Sequence, residues 1–509
     1  MTIKRRHELF WLSFSCFLFL LVAVTFFVSN RKFFLGDAET DYLITYLVEA
    51  KRFLFGQPLF LKIHPPFYSI VIAAINSLFL NWFVTGLVVS WVSSLMALAA
   101  IFIFFRRLTS EWAALGSVVG FASAPTFIVH AATASSDMFF LALYCSCFLF
   151  ALLADEKGSR FFWFVTGFFV ALAFLTRMNG LSLIPLFFLP RVCGEKVNSK
   201  RYFSFLLAGF SIPTLVWIGY ARFSGSPFWV QEAHINLAMT YFAPTNDRMT
   251  YDPYFVLRNQ FGNLWDVIRR DPLRMASVYA IDFVFMVGRN LALLVFPGLS
   301  FAGAIGFKTF LKRSRKPFVY VYLAATALHV VLINFKTYEP RFYLFLIPFI
   351  GASAGSFLEW ILTAKFSRDK MSALPSVIFL SLIFLIAAFS VSFAYVELHP
   401  AFEAELKEAI PEVRNIVPIS SIVVARKPNM AFYTESEFSY FPNVETMSEL
   451  RKELAQLPKS KKVFLYYGSY ERKMRPRFLE LSRGEEQAFL IPVARTKMGR
   501  DWVLYRVSL

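Results

Sequence analysis

The sequence predicts an α-helical membrane protein with many spans and a small α/β domain at its C-terminal end. Hydrophobic residues make up 57% of the 509 positions and charged residues only 17%, against about 25% in soluble domains. Apolar residues gather in runs long enough to cross a bilayer, whereas residues 396–509 are charged and contain short strand-like runs. The composition therefore indicates an integral membrane protein.

Apolar runs follow one another along most of the chain, and each is near the length that a bilayer requires or somewhat shorter. Basic residues precede the first run, which is longer than the core of a signal peptide and lacks a small-residue cleavage site. We therefore expect a retained first helix with a cytoplasmic N-terminus. About eleven spans are predicted, near residues 9–28, 83–105, 112–129, 138–153, 161–175, 181–190, 203–220, 291–307, 318–332, 342–364 and 374–395.

Positive charges are concentrated in every second loop, which predicts that these loops are cytoplasmic and that the C-terminal domain is extracytoplasmic. We expect the inner membrane of a bacterium. The formal net charge of +18 does not indicate a nucleic-acid partner, because basic residues punctuate the apolar spans instead of forming one stripe. The basic loops hold Arg106 and Arg107; Lys157 and Arg160; Arg191, Lys196, Lys200 and Arg201; Lys308, Lys312, Arg313, Arg315 and Lys316; and Lys365, Arg368 and Lys370.

Arg177 lies within the apolar stretch 161–190. Division of this stretch at Arg177 gives two short helices of about 22 and about 15 Å, whereas one long span would bury the arginine near its middle. The basic flanks, Arg160 and Arg191, favour the hairpin. In both cases Arg177 lies below the outer surface and inside protein, where an arginine is costly enough to be a functional candidate.

Two extracytoplasmic loops and the tail are not simple spans. We expect a membrane domain over residues 1–395, with a catalytic first loop at 29–81 and a second outer loop at 224–290, and a soluble domain at 396–509. The second loop leads into an amphipathic stretch with Asp282 and Arg289, which we interpret as a structural pair or as water-facing surface. A helix lying on the membrane is predicted over 42–55, with Leu43, Leu47, Ala50 and Leu54 on its apolar stripe and Glu49, Lys51 and Arg52 off it.

The soluble domain is large enough, at about 110 residues, to have its own core. Strands are predicted at 422–425, 463–467 and 502–505, and a helix at 447–457.

Short polar motifs stand in order at the outer ends of the predicted spans. This arrangement resembles the C-type glycosyltransferases that use polyprenyl-phosphate sugars, with protein O-mannosyltransferases and lipid A aminoarabinose transferases as the nearest groups. The resemblance covers residues 1 to about 395, and the tail is similar only in position. The motifs are Gly36-Asp37-Ala38-Glu39, His64-Pro65-Pro66-Phe67-Tyr68, Ser135-Ser136-Asp137, Leu175-Thr176-Arg177-Met178-Asn179-Gly180 and Glu339-Pro340-Arg341-Phe342-Tyr343.

This resemblance implies inverting transfer of a mannose-like or aminoarabinose-like sugar at the outer face of the membrane. The donor is a polyprenyl-phosphate sugar, and the acceptor is a protein, lipid A or a cell-envelope glycan. Asp37 matches the position of the base that takes the acceptor's proton. The resemblance places Glu39 and Asp137 as supporting acids, and the donor phosphate on Arg177, Arg341, His64, Lys62 and Tyr343.

One position departs from the aminoarabinose transferases, which have a lysine before the two prolines. This chain has His64 there, with Lys62 two residues earlier. A protonated histidine can contact phosphate, but a hydrogen-bonding role within the loop is an equal alternative. Capping of the helix that follows is the favoured role of Asp41 and the alternative for Asp37. A solvated acid is the alternative for Glu39, and an N-cap is the alternative for Asp137.

No cofactor is firmly implied, although Asp37, Glu39 and Asp137 are of the residue type that holds a divalent cation. The remaining histidines are too scattered for a metal cluster. Two other functions stay open: a transporter or flippase of a lipid-linked anionic substrate, because intramembrane Arg and Asp also line transport routes, and a non-catalytic scaffold for the soluble domain. The first-loop acids favour the enzyme.

Overall fold

The structure is a computed structural model that describes residues 38–193, 196–242, 253–294, 297–334, 340–365, 401–496 and 502–509. A π-helical turn at Tyr42–Tyr46 begins the described chain, and 3₁₀ helices lie at Met178–Phe188, Pro340–Leu346 and Pro476–Arg483. The α-helices are α1 Leu47–Leu54, α2 Phe67–Phe79, α3 Trp82–Leu108, α4 Glu111–Ser123, α5 Pro125–Ala131, α6 Asp137–Lys157, α7 Arg160–Thr176, α8 Leu189–Cys193, α9 Lys196–Ser224, α10 Ala233–Phe242, α11 Pro253–Gln260, α12 Leu264–Arg270, α13 Pro272–Leu294, α14 Pro297–Arg313, α15 Lys316–Asn334, α16 Ile347–Lys365, α17 Ala401–Ile416, α18 Asn429–Tyr433, α19 Met447–Leu454 and α20 Ser469–Met474. The strands are β1 Ile422–Ala425, β2 Glu437–Tyr440, β3 Val463–Tyr467, β4 Leu490–Arg495 and β5 Val503–Val507.

The chain divides into two compact units. Of the described residues, the helical unit takes in 45–231 and 276–365, and the second unit takes in 38–44, 232–275 and 401–509. Among the described residues, four helices are long and apolar enough to cross a membrane, or five if one bent pair counts as a single span. These are Trp82–Leu108, Asp137–Lys157, Ser199–Ser224 and Arg341–Ile361, with Glu111–Phe121 and Pro125–Ala131 as the bent pair.

The multi-pass helical class is confirmed, but the number of eleven spans is not. The predicted spans at 9–28 and 374–395 lie outside the described residues, and several others are shorter than a bilayer requires. The predicted span at 112–129 is broken before Pro125 and bends there by 68°, because proline cannot donate to the preceding turn. The span predicted at 291–307 differs as well, because one helix, α13, ends at Leu294 and the next, α14, begins at Pro297.

Close backbone contact holds α4 against α16. A Cβ on Gly116 would lie 2.2 Å from the carbonyl oxygen of Gly351, so only glycine fits at this crossing. Small residues spaced four apart allow helices to approach in this way inside a membrane. The core around this crossing is largely aromatic and aliphatic, and Phe105, Phe310 and Tyr322 are buried within it.

The segment after Arg177, predicted as a short helix at 181–190, is largely a 3₁₀ helix that contains Pro185. A 3₁₀ helix rises about 2.0 Å per residue, so Met178–Phe188 followed by α8 extends for about 30 Å. The prediction of about 15 Å for this half of the hairpin is therefore wrong. The tighter winding lets a short stretch reach about as far as a bilayer core is thick.

Basic loops predicted on one side of the membrane meet at one end of the helical unit. Arg107, at the end of α3, pairs with Glu156 at 2.7 Å, and Arg315 lies 3.1 Å from the same carboxylate. Arg313 pairs with Glu359 at 2.9 Å. We call this cluster of Arg107, Glu156, Arg313, Arg315 and Glu359 the basic end.

The first loop folds back on itself through Glu49. Its carboxylate accepts hydrogen bonds from the backbone N–H groups of Phe60 and Leu61 at 3.0 and 3.1 Å. Burial raises the pKa of Glu49, and these hydrogen bonds together with the charges of Arg52 and Lys62 partly offset that rise. The predicted polar face of the surface helix was therefore wrong at Glu49, which is buried because the loop supplies its hydrogen bonds.

The loop that follows α1 packs on the helical unit. Leu59 and Leu61 are buried with Leu175 and Trp217, and the N–H of Gln231 donates to the carbonyl of Leu61 at 2.9 Å. The chain then enters α2 at Pro66, a helix that the sequence did not predict within this loop.

The second outer loop contains the short helices α10 to α12. Glu232 accepts a hydrogen bond from Tyr254 and pairs with Arg258 at 2.8 Å, and His234 bonds the carbonyl of Phe261 at 3.0 Å. Asp282 and Arg289 lie in α13, and the described part of the structure does not include their side chains.

The C-terminal sheet has the strand order β2-β1-β3-β5-β4. Strand β1 is parallel to β2 and β3, with Ile422 opposite Glu437 and Val463, whereas β5 is antiparallel to β3 and β4. Apolar layers cover both faces, one with α17 and Trp502 and the other with α19 and Phe478. The predicted strands at 422–425, 463–467 and 502–505 match β1, β3 and β5 with small shifts, and β2 and β4 were missed.

Candidate active site

Arg177 is placed by the end of α7. The helix stops at Thr176, and Arg177 adopts an extended backbone with φ −147° and ψ 141°. The next turn packs directly on α7, where a Cβ on Gly180 would lie 2.5 Å from the Cα of Phe174. The glycine of the Leu-Thr-Arg-Met-Asn-Gly motif therefore permits the tight turn that directs Arg177 away from its own helix. Its side chain is 9% exposed.

Asp137, the first residue of α6, receives two arginines on one carboxylate. Arg177 Nη1 donates to Oδ1 of Asp137, and Arg341 Nη1 lies 3.3 Å from Oδ2. The Asp137 side chain is 6% exposed and that of Arg341 is 12% exposed. Ion pairs that are this well shielded from water are screened far less than surface pairs. The sequence predicted these three residues as separate members of one site, and the structure brings their side chains together.

Phe342 lies beside both guanidinium groups. The Arg177 guanidinium carbon is 5.3 Å from the ring centroid, and that of Arg341 is 4.9 Å from it. An aromatic face stabilises a cation at these distances. The arginine pair is thus held by one carboxylate and one ring, and we call Asp137, Arg177, Arg341 and Phe342 the arginine cluster.

His130 also approaches the arginine cluster, and the sequence analysis missed it. Its Nδ1 lies 3.8 Å from Oδ2 of Asp137. The sequence analysis considered His130 only for a metal cluster and dismissed it. The signal that could have found it is its position seven residues before Asp137, in the last turn of α5.

The first loop reaches the arginine cluster through Tyr46. Ser136 donates to the hydroxyl of Tyr46 at 2.9 Å and accepts from Nη1 of Arg177 at 3.1 Å. The Tyr46 ring stacks on His64 with centroids 4.6 Å apart and planes 18° apart, and it meets Tyr68 edge-on at 4.8 Å. A continuous set of contacts therefore runs from His64 of the first loop to Arg177. The sequence gave no signal for Tyr46.

The other predicted site residues lie as follows. Asp37 and Glu339 are outside the described residues. Glu39 is half-buried, and its carbonyl accepts from the N–H of Leu43 at 3.2 Å. Lys62 is exposed, whereas Tyr343 is fully buried in the core of the helical unit.

A divalent cation does not fit at Asp137. The carboxylate already faces two guanidinium groups, which would repel a second cation. Across the described ranges, no group of three His, Cys, Asp or Glu side chains is arranged for a metal ion. The combination of Asp37, Glu39 and Asp137 includes a residue outside those ranges.

The chain has the fold of the C-type glycosyltransferases, which are multi-pass membrane proteins. The family model of dolichyl-phosphate-mannose-protein mannosyltransferase matches residues 63–218, a stretch that contains His64, Asp137 and Arg177. Among curated protein sequences, no match is found.

Solved structures share the fold over nearly the whole chain. ArnT from Cupriavidus metallidurans bound to undecaprenyl phosphate has a TM-score of 0.55 at 15% identity, covering 96% of this chain and 97% of that one. The archaeal oligosaccharyltransferase AglB from Archaeoglobus fulgidus, in complex with an inhibitory peptide and a dolichol-phosphate, has a TM-score of 0.54 at 13% identity, covering 100% and 75%. The predicted resemblance to C-type glycosyltransferases is thus confirmed.

Proposed function

We propose that this protein is an inverting membrane glycosyltransferase that moves a sugar from a polyprenyl-phosphate donor to an acceptor outside the cytoplasm. The observation that carries the proposal is the convergence of Arg177 and Arg341 on one buried carboxylate. Two shielded guanidinium groups side by side suit a phosphate, because arginine offers a planar fork of donors that matches phosphate oxygens. The family model and the shared fold support the same reaction class.

In the proposed step, an acceptor oxygen attacks the anomeric carbon of the donor sugar. The bond between that carbon and the phosphate oxygen breaks, and its electron pair stays on the phosphate. The acceptor proton passes to a carboxylate, and polyprenyl phosphate leaves with one more negative charge than the phosphodiester donor carried. Arg177 and Arg341 stabilise that growing charge, which in a site shielded from water contributes several kcal/mol, about 3 kcal/mol or more.

We assign the base to Asp37 and not to Asp137. The carboxylate of Asp137 already accepts from two arginines, so its oxygens are directed at cations and not at an acceptor hydroxyl. Asp37 matches the base of the resembling family, and it precedes the π-helical turn that holds Tyr46 by five residues. In this proposal, Glu39 is a supporting acid and His64 is a supporting contact to the donor phosphate.

The site lies at the end of α6 opposite to the basic end. Asp137 begins this helix, and Glu156 of the basic end lies 19 residues later, about 28 Å along the helix axis. We propose that the basic end faces the cytoplasm, in accordance with the positive-inside rule. The arginine cluster and the C-terminal domain would then be extracytoplasmic.

A transfer assay on the purified chain in lipid nanodiscs tests the proposal. Radiolabelled polyprenyl-phosphate mannose and aminoarabinose would be incubated with protein, lipid A and glycan acceptors, and both labelled product and released polyprenyl phosphate would be measured. The proposal predicts acceptor-dependent release of polyprenyl phosphate from one donor. Movement of intact donor across the bilayer without release would indicate a flippase instead.

The matched control for this assay is Arg313→Ala. Arg313 also forms an ion pair in the helical unit, but with Glu359 at the basic end. Loss of transfer in Arg341→Ala with transfer retained in Arg313→Ala is the expected result. Equal loss in both variants would mean that the activity follows general stability and not the arginine cluster.

A further inference from the structure

We infer that Asp137 is the residue that lets the product leave, because its negative charge opposes the dianionic polyprenyl phosphate more strongly than the monoanionic donor. This inference rests on the proposed function and names a specificity role within the same site. Asp137 acts through the two arginines, so it is a positioning residue and not a catalytic one.

The geometry makes Asp137 a shared counter-ion. One oxygen of the carboxylate accepts from Arg177 and the other lies 3.3 Å from Arg341, while Ser136 holds Arg177 from a second side at 3.1 Å. The three charged side chains together carry one net positive charge. Without the charge of Asp137, the two guanidinium groups would lack this shared counter-ion.

The donor and the product differ in the charge of the phosphate group. The donor is a phosphodiester with one negative charge, whereas the product is a phosphomonoester that carries about 1.5 to 2 negative charges near pH 7. The negative charge of Asp137 therefore opposes the product about twice as strongly as it opposes the donor. Because charges interact more strongly where water is excluded, this repulsion weakens product binding relative to what the arginine pair alone would give.

Replacement of a merely structural residue would weaken phosphate binding, whereas replacement of the Asp137 carboxylate should strengthen it. Asp137→Asn keeps the size and one hydrogen-bonding oxygen but removes the charge. We expect the affinity for polyprenyl phosphate to rise by about tenfold, from the loss of one negative charge beside a dianion. The affinity for a phosphodiester should rise less, and steady-state transfer should slow because the product stays bound.

Binding measurements on the purified full chain in nanodiscs test the inference, with polyprenyl phosphate and its methyl ester as the two probes. The methyl ester keeps the lipid and one negative charge but carries no sugar to transfer. The control is Asp155→Asn, which changes the same residue type at the other end of α6, where Asp155 pairs with Arg315 at 3.5 Å. We expect Asp155→Asn to bind both probes as the unaltered protein does.

The unaltered protein provides a test that needs no variant to fold. We expect it to bind polyprenyl phosphate and the methyl ester within about threefold of each other, because repulsion by Asp137 counters the stronger attraction of the two arginines for the monoester. A monoester affinity more than about tenfold above that of the methyl ester would overturn the inference.

The variants separate the inference from the proposed function. One outcome would overturn the inference and leave the proposed function in place. In that outcome, Arg341→Ala loses binding of both probes, and Asp137→Asn weakens binding of both probes. Failure of the unaltered protein to bind either probe would overturn both. A selective rise for polyprenyl phosphate in Asp137→Asn supports both.

Discussion

Nη1 of Arg341 lies 3.3 Å from Oδ2 of Asp137, although the two residues are 204 positions apart in the chain. One residue begins α6 and the other belongs to the 3₁₀ turn Pro340–Leu346 that leads into α16. The phosphate site that we propose is therefore assembled by packing of distant helices. Its charges depend on one another, and the first loop contacts them through Tyr46 and Ser136.

The first prediction concerns donor binding. Arg177→Ala and Arg341→Ala should each weaken binding of a polyprenyl-phosphate sugar, because loss of a charged hydrogen bond costs about 1.5–3 kcal/mol. Lysine at either position should restore only part of the affinity, since it cannot offer a planar fork. Equilibrium binding in nanodiscs measures this. Donor affinity unchanged in both alanine variants would show that the two residues do not hold the phosphate.

The second prediction concerns the contact between the first loop and Arg177. Tyr46→Phe keeps the ring on His64 and removes the hydroxyl that Ser136 donates to, and Ser136→Ala removes both bonds of that serine. Tyr46→Phe should lower kcat/KM by up to about tenfold, the effect of one neutral hydrogen bond, and Ser136→Ala should lower it further because it also removes a bond to the charged Arg177. The double variant should lose little more than Ser136→Ala alone.

Tyr144→Phe is the matched control for this cycle. It also removes a buried hydroxyl in the helical unit, one that lies 3.2 Å from Thr326. Its effect should add to that of Ser136→Ala. If the effects of Tyr46→Phe and Ser136→Ala were also simply additive, this result would argue against a chain of contacts from His64 to Arg177.

The third prediction concerns the pH dependence of stability at Glu49. Burial raises its pKa above the model-peptide value of 4.5, so the folded state favours the protonated form. As pH rises from 4.5 through the raised folded pKa, the folded state loses stability relative to the unfolded chain. Glu49→Gln, which keeps an acceptor for Phe60 and Leu61, should therefore gain in Tm against the unaltered protein as pH rises.

Glu49→Ala separates the charge from the hydrogen bonds. It leaves the N–H groups of Phe60 and Leu61 without their acceptor, which costs about 1–3 kcal/mol for each buried group. Its Tm should fall at every pH between 4 and 8. A Tm difference between Glu49→Gln and the unaltered protein that does not change with pH would contradict the effect of burial.

The fourth prediction concerns orientation. In a variant without native cysteines, a cysteine placed at Ser436 of the C-terminal domain should react with an impermeant thiol reagent added to intact cells. A cysteine at Ser199, near the start of α9 and the predicted cytoplasmic loop, should react only after the membrane is opened. Labelling of Ser199 but not Ser436 would reverse the proposed sidedness of the arginine cluster.

Sequence reasoning singled out the charged members of the arginine cluster, because a charged residue has an energetic cost in an apolar setting. Arg177, Arg341 and Asp137 are polar residues at the ends of apolar runs, and such residues need a functional reason. Tyr46, His130 and Phe342 were not assigned to the site, because a buried aromatic or histidine has many structural explanations. Their roles depend on which helices meet, and periodicity does not contain that information.

The secondary structure shows the same limit. Strands β1 and β3 are uniformly buried and apolar, so they were predicted within a residue or so. Strand β2 is mostly half-buried or exposed, and β4 contains Pro492 beside a register shift, so neither gave a strand pattern. Burial of Glu49 also escaped prediction, since its partners Phe60 and Leu61 lie beyond the helix itself.

The most direct test of the account is a paired measurement on Asp37→Asn: donor binding and transfer rate in the same nanodisc preparation. Asparagine keeps the shape and one oxygen but cannot take the acceptor proton, and removal of a general base lowers turnover by about 10²–10⁴. If the arginine cluster holds the phosphate and Asp37 acts separately as the base, donor affinity stays within about twofold while transfer falls by that factor. Near-normal transfer by Asp37→Asn, or loss of donor binding with the rate, would contradict the account.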